Sequence, residues 1–187
     1  MIVRQFRLLI LVKELQGRNL SPDLMAKELG QHPFAIKKIN EPTLVNLAAG
    51  DDIVTISSRA AGQLTVDSIN AGFEDHTFTL AGVTFITINA IGGADTITIQ
   101  SLGDFAGPLL VNGGDGNDTI GLAGLGLTNA VDITLDLGAG TNNLIGPYAK
   151  SGWTFTGQDA GNLLVGTGTG IIQFMGIDTI TSVNGTD

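Results

Sequence analysis

The chain has 187 residues, enough for one domain or one domain with an appendage. A hydrophobic share of 43% excludes a disordered chain, and 27 glycines without a three-residue period exclude collagen. With no Cys, disulfides, zinc-thiolate sites and cysteine nucleophiles are excluded. Charge then splits the chain. Residues 1–39 hold seven bases against three acids, a net +4. Residues 40–187 hold two bases, Arg59 and Lys150, against fifteen acids, a net −13. Gly divides the same way, two before residue 40 and 25 after it. The shift reads as two segments of different origin, 1–39 and 44–187, joined at Asn40-Glu41-Pro42-Thr43. The uncharged apolar run after Arg4 and Arg7 spans only Leu8 to Val12, too short for a signal-peptide core or a membrane span.

Residues 1–39 predict three short helices. Phe6, Leu9, Ile10, Leu11 and Leu15 recur at helical spacing, and Gly17 ends the run. Ser21-Pro22 caps a second helix that stops at Gly30. His32-Pro33 opens a third, carrying Lys37 and Lys38. Tight turns invite a helix-turn-helix reading. No base-reading Arg, Asn or Gln cluster sits on the third helix, so a small packing module is the plainer one.

The order Arg4-Gln5-Phe6-Arg7-Leu8-Leu9, Lys13-Glu14-Leu15, Leu20-Ser21-Pro22, Ala26-Lys27-Glu28-Leu29-Gly30 and His32-Pro33-Phe34 resembles the C-terminal helical region of bacterial DNA polymerase III delta subunits. In that family this region belongs to the collar joining clamp-loader subunits. The resemblance implies contact with such subunits or with nucleic acid, through residues 1–39 only, in the cytoplasm. It covers about a fifth of the chain, has no GxxxxGK[ST] beside it, and starts inside the family pattern, which predicts a fragment or a fusion.

Residues 44–187 repeat. Gly, a variable residue, Asp or Asn, a variable residue and then an aliphatic residue recur at Gly50, Gly93, Gly116, Gly140, Gly161 and Gly176, with a faint copy at Gly72. The copies set a period near 22 residues. Between them lie β-branched runs: Ile53-Val54-Thr55-Ile56, Thr84-Phe85-Ile86-Thr87-Ile88, Thr96-Ile97-Thr98-Ile99 and Val131-Asp132-Ile133-Thr134-Leu135. Alternation puts Ile on one face and Thr on the other. A turn-and-strand unit of this size cannot bury its own apolar face, whereas stacked units can. The expected fold is therefore mainly β: a parallel β-solenoid of about 22-residue rungs after a short three-helix segment. A β-sandwich is the rival, disfavoured because the turn itself repeats.

Gly113-Gly114-Asp115-Gly116-Asn117-Asp118-Thr119-Ile120-Gly121 fits the nonapeptide GGxGxDxUx throughout and resembles calcium-binding RTX repeats. Gly corners expose carbonyl oxygens, Asp adds charge, and Ca²⁺ takes six to eight such oxygens. The resemblance implies a Ca²⁺ set of Asp118, Asp115, Asn117, Gly113 and Gly116, with Asp95 from the neighbouring turn. The other reading of these acids is capping of β corners by Asx side chains, which is the expected role for Asp51, Asp52, Asp95, Asn142 and Asp178. Asp95 and Asp118 are 23 residues apart, against 18 in a regular RTX rung.

The wider run, with Gly50-Asp51-Asp52, Phe78-Thr79-Leu80-Ala81-Gly82-Val83 and Phe174-Met175-Gly176-Ile177-Asp178-Thr179-Ile180, resembles the repeats of very large bacterial surface and secreted proteins. That implies an extracellular or cell-surface location and a structural or adhesive role. The expected partners are an extracellular ligand or further copies meeting at the solenoid ends. No enzyme is expected. Adjacent Asp51 and Asp52 point to opposite faces of a strand, no GxSxG occurs, and Tyr148 and Trp153 read as core or end-cap aromatics. His76 reads as a solvated loop residue. The two resemblances imply different compartments, as expected of a fused chain, and Val183-Asn184-Gly185-Thr186-Asp187 looks like the start of another turn.

Overall fold

The computed structural model describes residues 41–69, 75–125, 131–148, 151–165 and 170–182. All of them fall in one compact unit, Lys38–Asp187. The three helices expected over residues 1–39, the copy at Gly72 and the turn after Ser182 lie outside the described residues.

The described residues are mainly β. Fourteen strands follow one another: β1 (Glu41–Asn46), β2 (Ile53–Ser57), β3 (Gln63–Ser68), β4 (His76–Thr79), β5 (Val83–Asn89), β6 (Thr96–Ile99) and β7 (Leu109–Asn112). Then come β8 (Thr119–Gly121), β9 (Ile133–Asp136), β10 (Asn143–Ile145), β11 (Ser151–Phe155), β12 (Gly161–Val165), β13 (Ile171–Met175) and β14 (Thr179–Thr181). They form two seven-stranded sheets. The first has the order β1-β5-β7-β9-β13-β12-β11, and the second β14-β10-β8-β6-β2-β3-β4.

Through the middle, the chain crosses from the first sheet to the second and back, and every pairing there is parallel. The sequence explains the faces. In β6, Thr96 and Thr98 are half-buried while Ile97 and Ile99 are buried, the two-residue alternation of a strand with one face on a core. Parallel register stacks like on like. Val54, Ile97, Ile120, Leu144 and Ile180 make one column across the second sheet. Val45, Ile88, Val111, Leu135 and Phe174 make another across the first. These aliphatic ladders fill the core between the sheets with few aromatics.

The expected period holds at the centre and fails at both ends. The first step between corresponding turns is 43 residues and the last is 36, because the chain leaves the succession to make an antiparallel excursion. The first excursion is β3 and β4, added beyond β2; the second is β11 and β12, added beyond β13. Gly161 is therefore not a turn copy. It begins β12, where a Cβ would meet the Phe174 ring and the Thr154 carbonyl at 2.5 Å. His76 lies on β4 rather than in a loop, exposed and tilted against Phe78.

Ile120 stands mid-column with no exposure. Truncation to Ala leaves a cavity between two sheets and should lower stability by about 2–5 kcal/mol. A chemical-denaturation midpoint unchanged in Ile120→Ala would contradict the stacked core.

Candidate functional site

Four six-residue turns join the first sheet to the second: residues 47–52, 90–95, 113–118 and 137–142. They superpose in register, since Ala49, Gly92, Asp115 and Ala139, the third residue of each, are joined by parallel bridges. The fourth residue is Gly50, Gly93, Gly116 and Gly140. Gly116 and Gly140 have φ of 137° and 134°, and a Cβ on either would strike the carbonyl of the Gly one turn earlier. Only Gly allows turns to lie this close.

The sixth residue carries the polar chemistry. The Asp52 N–H donates to Asp95 Oδ1 at 2.8 Å, and the Asp95 N–H to Asp118 Oδ1 at 2.9 Å. The Asp118 N–H donates to Asn142 Oδ1 at 2.9 Å, and the Asn142 N–H to Asp178 Oδ2 at 2.8 Å. Each Asx side chain thus satisfies the backbone of the preceding turn, across 43, 23, 24 and 36 residues of sequence. A partial outer row runs the other way, each side chain serving the following turn: the Ala94 N–H donates to Asp51 Oδ1, and the Thr141 N–H to Asn117 Oδ1. A third row ends the first-sheet strands, where Asn89 Nδ2 donates to Asn46 Oδ1 and Asn112 Nδ2 to Asn89 Oδ1.

The second oxygen of each inner side chain separates the members. Asp52 Oδ2 accepts from the Ala48 N–H at 3.0 Å. Asn142 puts Nδ2 there, and it donates to the carbonyls of Leu137, Gly138 and Gly176. At Asp95 and Asp118, both 1% exposed, Oδ2 is buried without a hydrogen-bond partner. Leaving such a group unsatisfied costs roughly 1–3 kcal/mol, more when it is charged. Burial lifts the Asp95 carboxyl to about 6; the Asp52 N–H opposes the rise, and the charges of Asp118, Asp52 and Asp51 add to it. Burial also raises the Asp118 carboxyl, against the Asp95 N–H.

The structure gathers the sequence-marked residues only in part. Asp118, Asn117, Asp115, Gly116 and Gly113 share one turn, with Asp95 one turn earlier and joined to Asp118 by the ladder. Asp115 is exposed, and its backbone carbonyl accepts from the Gly93 N–H at 2.9 Å. Gly113 is buried, and its N–H donates to the Asp136 carbonyl. Asp51 and Asp52 face opposite ways, one exposed and one buried. Trp153 packs edge-on against Phe174, while Tyr148 is exposed. Sequence reasoning missed the Asn row at 46, 89 and 112. Its signal was present, since these positions share the 43- and 23-residue steps of the Asp positions.

Among known proteins, the family model described as DNA polymerase III delta subunit, C-terminal domain, matches residues 1–43. No curated protein and no solved structure matches the chain. The family match ends at the third residue of β1, so the ladder lies beyond it.

Raised carboxyls set the sign of the pH dependence. The unfolded chain releases these protons near the ordinary value of 3.8, and folded Asp95 near 6. Their favourable contribution is complete below the first value and is lost as pH rises through the second. Asp95→Asn and Asp118→Asn supply the donor that Asn142 already has. Each should raise the melting temperature at neutral pH; Asp95→Asn should reduce its fall between about pH 4 and about pH 6, and Asp118→Asn its fall as pH rises above the ordinary carboxyl range. Equal pH profiles for wild type and both variants would count against buried, unsatisfied carboxyls.

Proposed function

We propose that residues 44–187 are a β-solenoid segment of a bacterial surface or secreted repeat protein, with a structural or adhesive role. The observation that carries this is the Asx ladder running through the turns that lead from the first sheet to the second, with Gly at the close-packed corner. Such a ladder locks repeated units to one another, which suits a rod-like support. It also employs the acids as turn-to-turn acceptors rather than as an acid–base pair. The alternating Thr and Ile faces and the −13 charge of residues 40–187 support the exterior reading, as does the resemblance of the repeats. Among the described residues no helix is long and apolar enough to cross a membrane.

Calcium belongs to this reading through two atoms. Oδ2 of Asp95 and of Asp118 are oxygen donors without a partner. At Gly113, Asp118 Oδ2 and the Leu137 carbonyl line the same spot, within 2.7 Å of where a Cβ would stand. The donor chemistry fits a hard cation, which takes oxygen ligands only. Asp118 Oδ1 and Asn117 Oδ1 already accept backbone bonds, so the fit is to a weakly held ion. When bound, the ion would screen Asp–Asp repulsion and order the turns; the ladder itself is protein chemistry. Thermal melts of the full chain in EDTA and in millimolar Ca²⁺ test this. The expected result is a higher melting temperature with Ca²⁺, lost in Asp118→Ala. A melt indifferent to Ca²⁺ would remove the ion from the reading.

A second reading rests on the family match at residues 1–43. In it, the N-terminal segment contacts clamp-loader subunits or nucleic acid, and the β-repeat is a passenger. Capture of clamp-loader subunits by the full chain, lost on deletion of residues 1–39, is its expected signature.

A further inference from the structure

The two sheets have equal numbers of strands but do not end together. Both contain five parallel strands, β1, β5, β7, β9 and β13 in one and β2, β6, β8, β10 and β14 in the other. The first sheet then continues past β13 by β12 and β11, and the second continues past β2 by β3 and β4. Each sheet overhangs its neighbour by two strands, at opposite ends of the succession.

Strand direction makes the two ends complementary. β12 is antiparallel to β13, and β11 to β12, so β11 runs the same way as β1. By the same count β4 runs the same way as β14. A second copy shifted along the stacking direction by seven strands would set its β1 beside β11, parallel, and its β4 beside β14, parallel. The two-strand overhang of one copy fills the two-strand recess of the other, with neither gap nor overlap.

The overhangs carry apolar surface on their inner faces. Trp153 and Phe155 both pack edge-on against the buried Phe174 ring, at centroid distances of 5.7 and 6.2 Å. Yet Phe155 remains 63% exposed, because the second sheet stops two strands short of it. On the other overhang, Phe78 pairs with the buried Leu64 and is itself half-buried. The end strands β4, β11 and β14 are mostly exposed, whereas inner strands such as β7 and β9 alternate buried with half-buried. On β1, Leu44 is 59% exposed, on the face opposite the buried Val45.

From this stagger we infer that the chain binds a second copy of itself head to tail, through β11 against β1 and β14 against β4, bringing the apolar inner faces of the two overhangs together. The interface is heterologous and does not close on itself, so it builds an open filament. It goes beyond the surface-protein reading and rests on strand order alone, so loss of calcium binding or of adhesion leaves it standing.

Backbone parity supplies the variants. The Leu47 N–H donates to the Asn89 carbonyl, so alternation turns the Leu44 N–H to the edge of β1 that pairs with no strand among the described residues. The Thr156 N–H donates to the Ala160 carbonyl, so the Phe155 N–H faces the edge of β11 that pairs with no strand among the described residues. Leu44→Pro and Phe155→Pro each remove an edge donor while sparing intrachain bonds. Leu44→Lys and Phe155→Lys do the same work by charge if a Pro variant loses its far-UV β spectrum. Sedimentation velocity on the full chain should show masses that grow with concentration without a fixed endpoint. Either variant alone should sediment as a monomer. A mixture of the two should give a dimer and nothing larger, since one intact β1 end then meets one intact β11 end. A wild type monomeric at every concentration, a closed dimer, or a mixture that stays monomeric would overturn the inference.

Discussion

The described β-structure depends on one interaction: an Asx side chain in one turn accepting the backbone N–H of the turn before it. Strands in a parallel stack bond one another through their ladders, but a tight corner aims N–H groups along the stack, where a strand ladder supplies no partner. A buried N–H left alone costs roughly 1–3 kcal/mol. Asp95, Asp118, Asn142 and Asp178 meet that need, one turn after another. The glycine column follows from it. The turns can reach 2.8–2.9 Å bonds only if they lie close, and a Cβ on Gly116 or Gly140 would occupy the carbonyl of the preceding Gly.

The same interaction builds tension into the stack. An acceptor is needed at each corner, and Asp supplies one at the expense of a second oxygen. Asp52 satisfies that oxygen within its own turn, and Asn142 replaces it with a donor that three carbonyls accept. Asp95 and Asp118, in the middle, do neither. Two adjacent turns therefore hold carboxyls with a raised affinity for protons, and offer oxygen donors to a cation. Acid, and calcium in the proposed reading, address the same two atoms for the same reason: both bring positive charge to a buried oxygen without a partner.

Much of this was legible in the chain. Spacing of Gly50, Gly93, Gly116 and Gly140 marked the corners, and the Thr–Ile alternation of Thr96–Ile99 assigned the faces. What escaped was the partner of each side chain. Asx residues at turns suggest capping of their own corner, whereas the observed acceptors serve backbone 23 to 43 residues away, for which no local pattern exists. The end hairpins escaped for a different reason. Gln63–Ser68 alternates in residue type and Gly161–Val165 in burial, as parallel strands do, and period-two patterning is blind to direction. Gly161 looked like a corner because close packing under Phe174 demands the same residue as a positive φ.

Native-state hydrogen exchange of the four ladder amides tests the account most directly. The N–H groups of Asp52, Asp95, Asp118 and Asn142 belong to turns, which ordinarily exchange by local fraying. If the ladder holds the stack, these four exchange only through global unfolding, with protection equal to that of Ile97 and Ile120 in the strands beside them. Exchange at the rate of exposed loops, while Ile97 and Ile120 stay protected, would show that the stack stands without the ladder and would contradict the account.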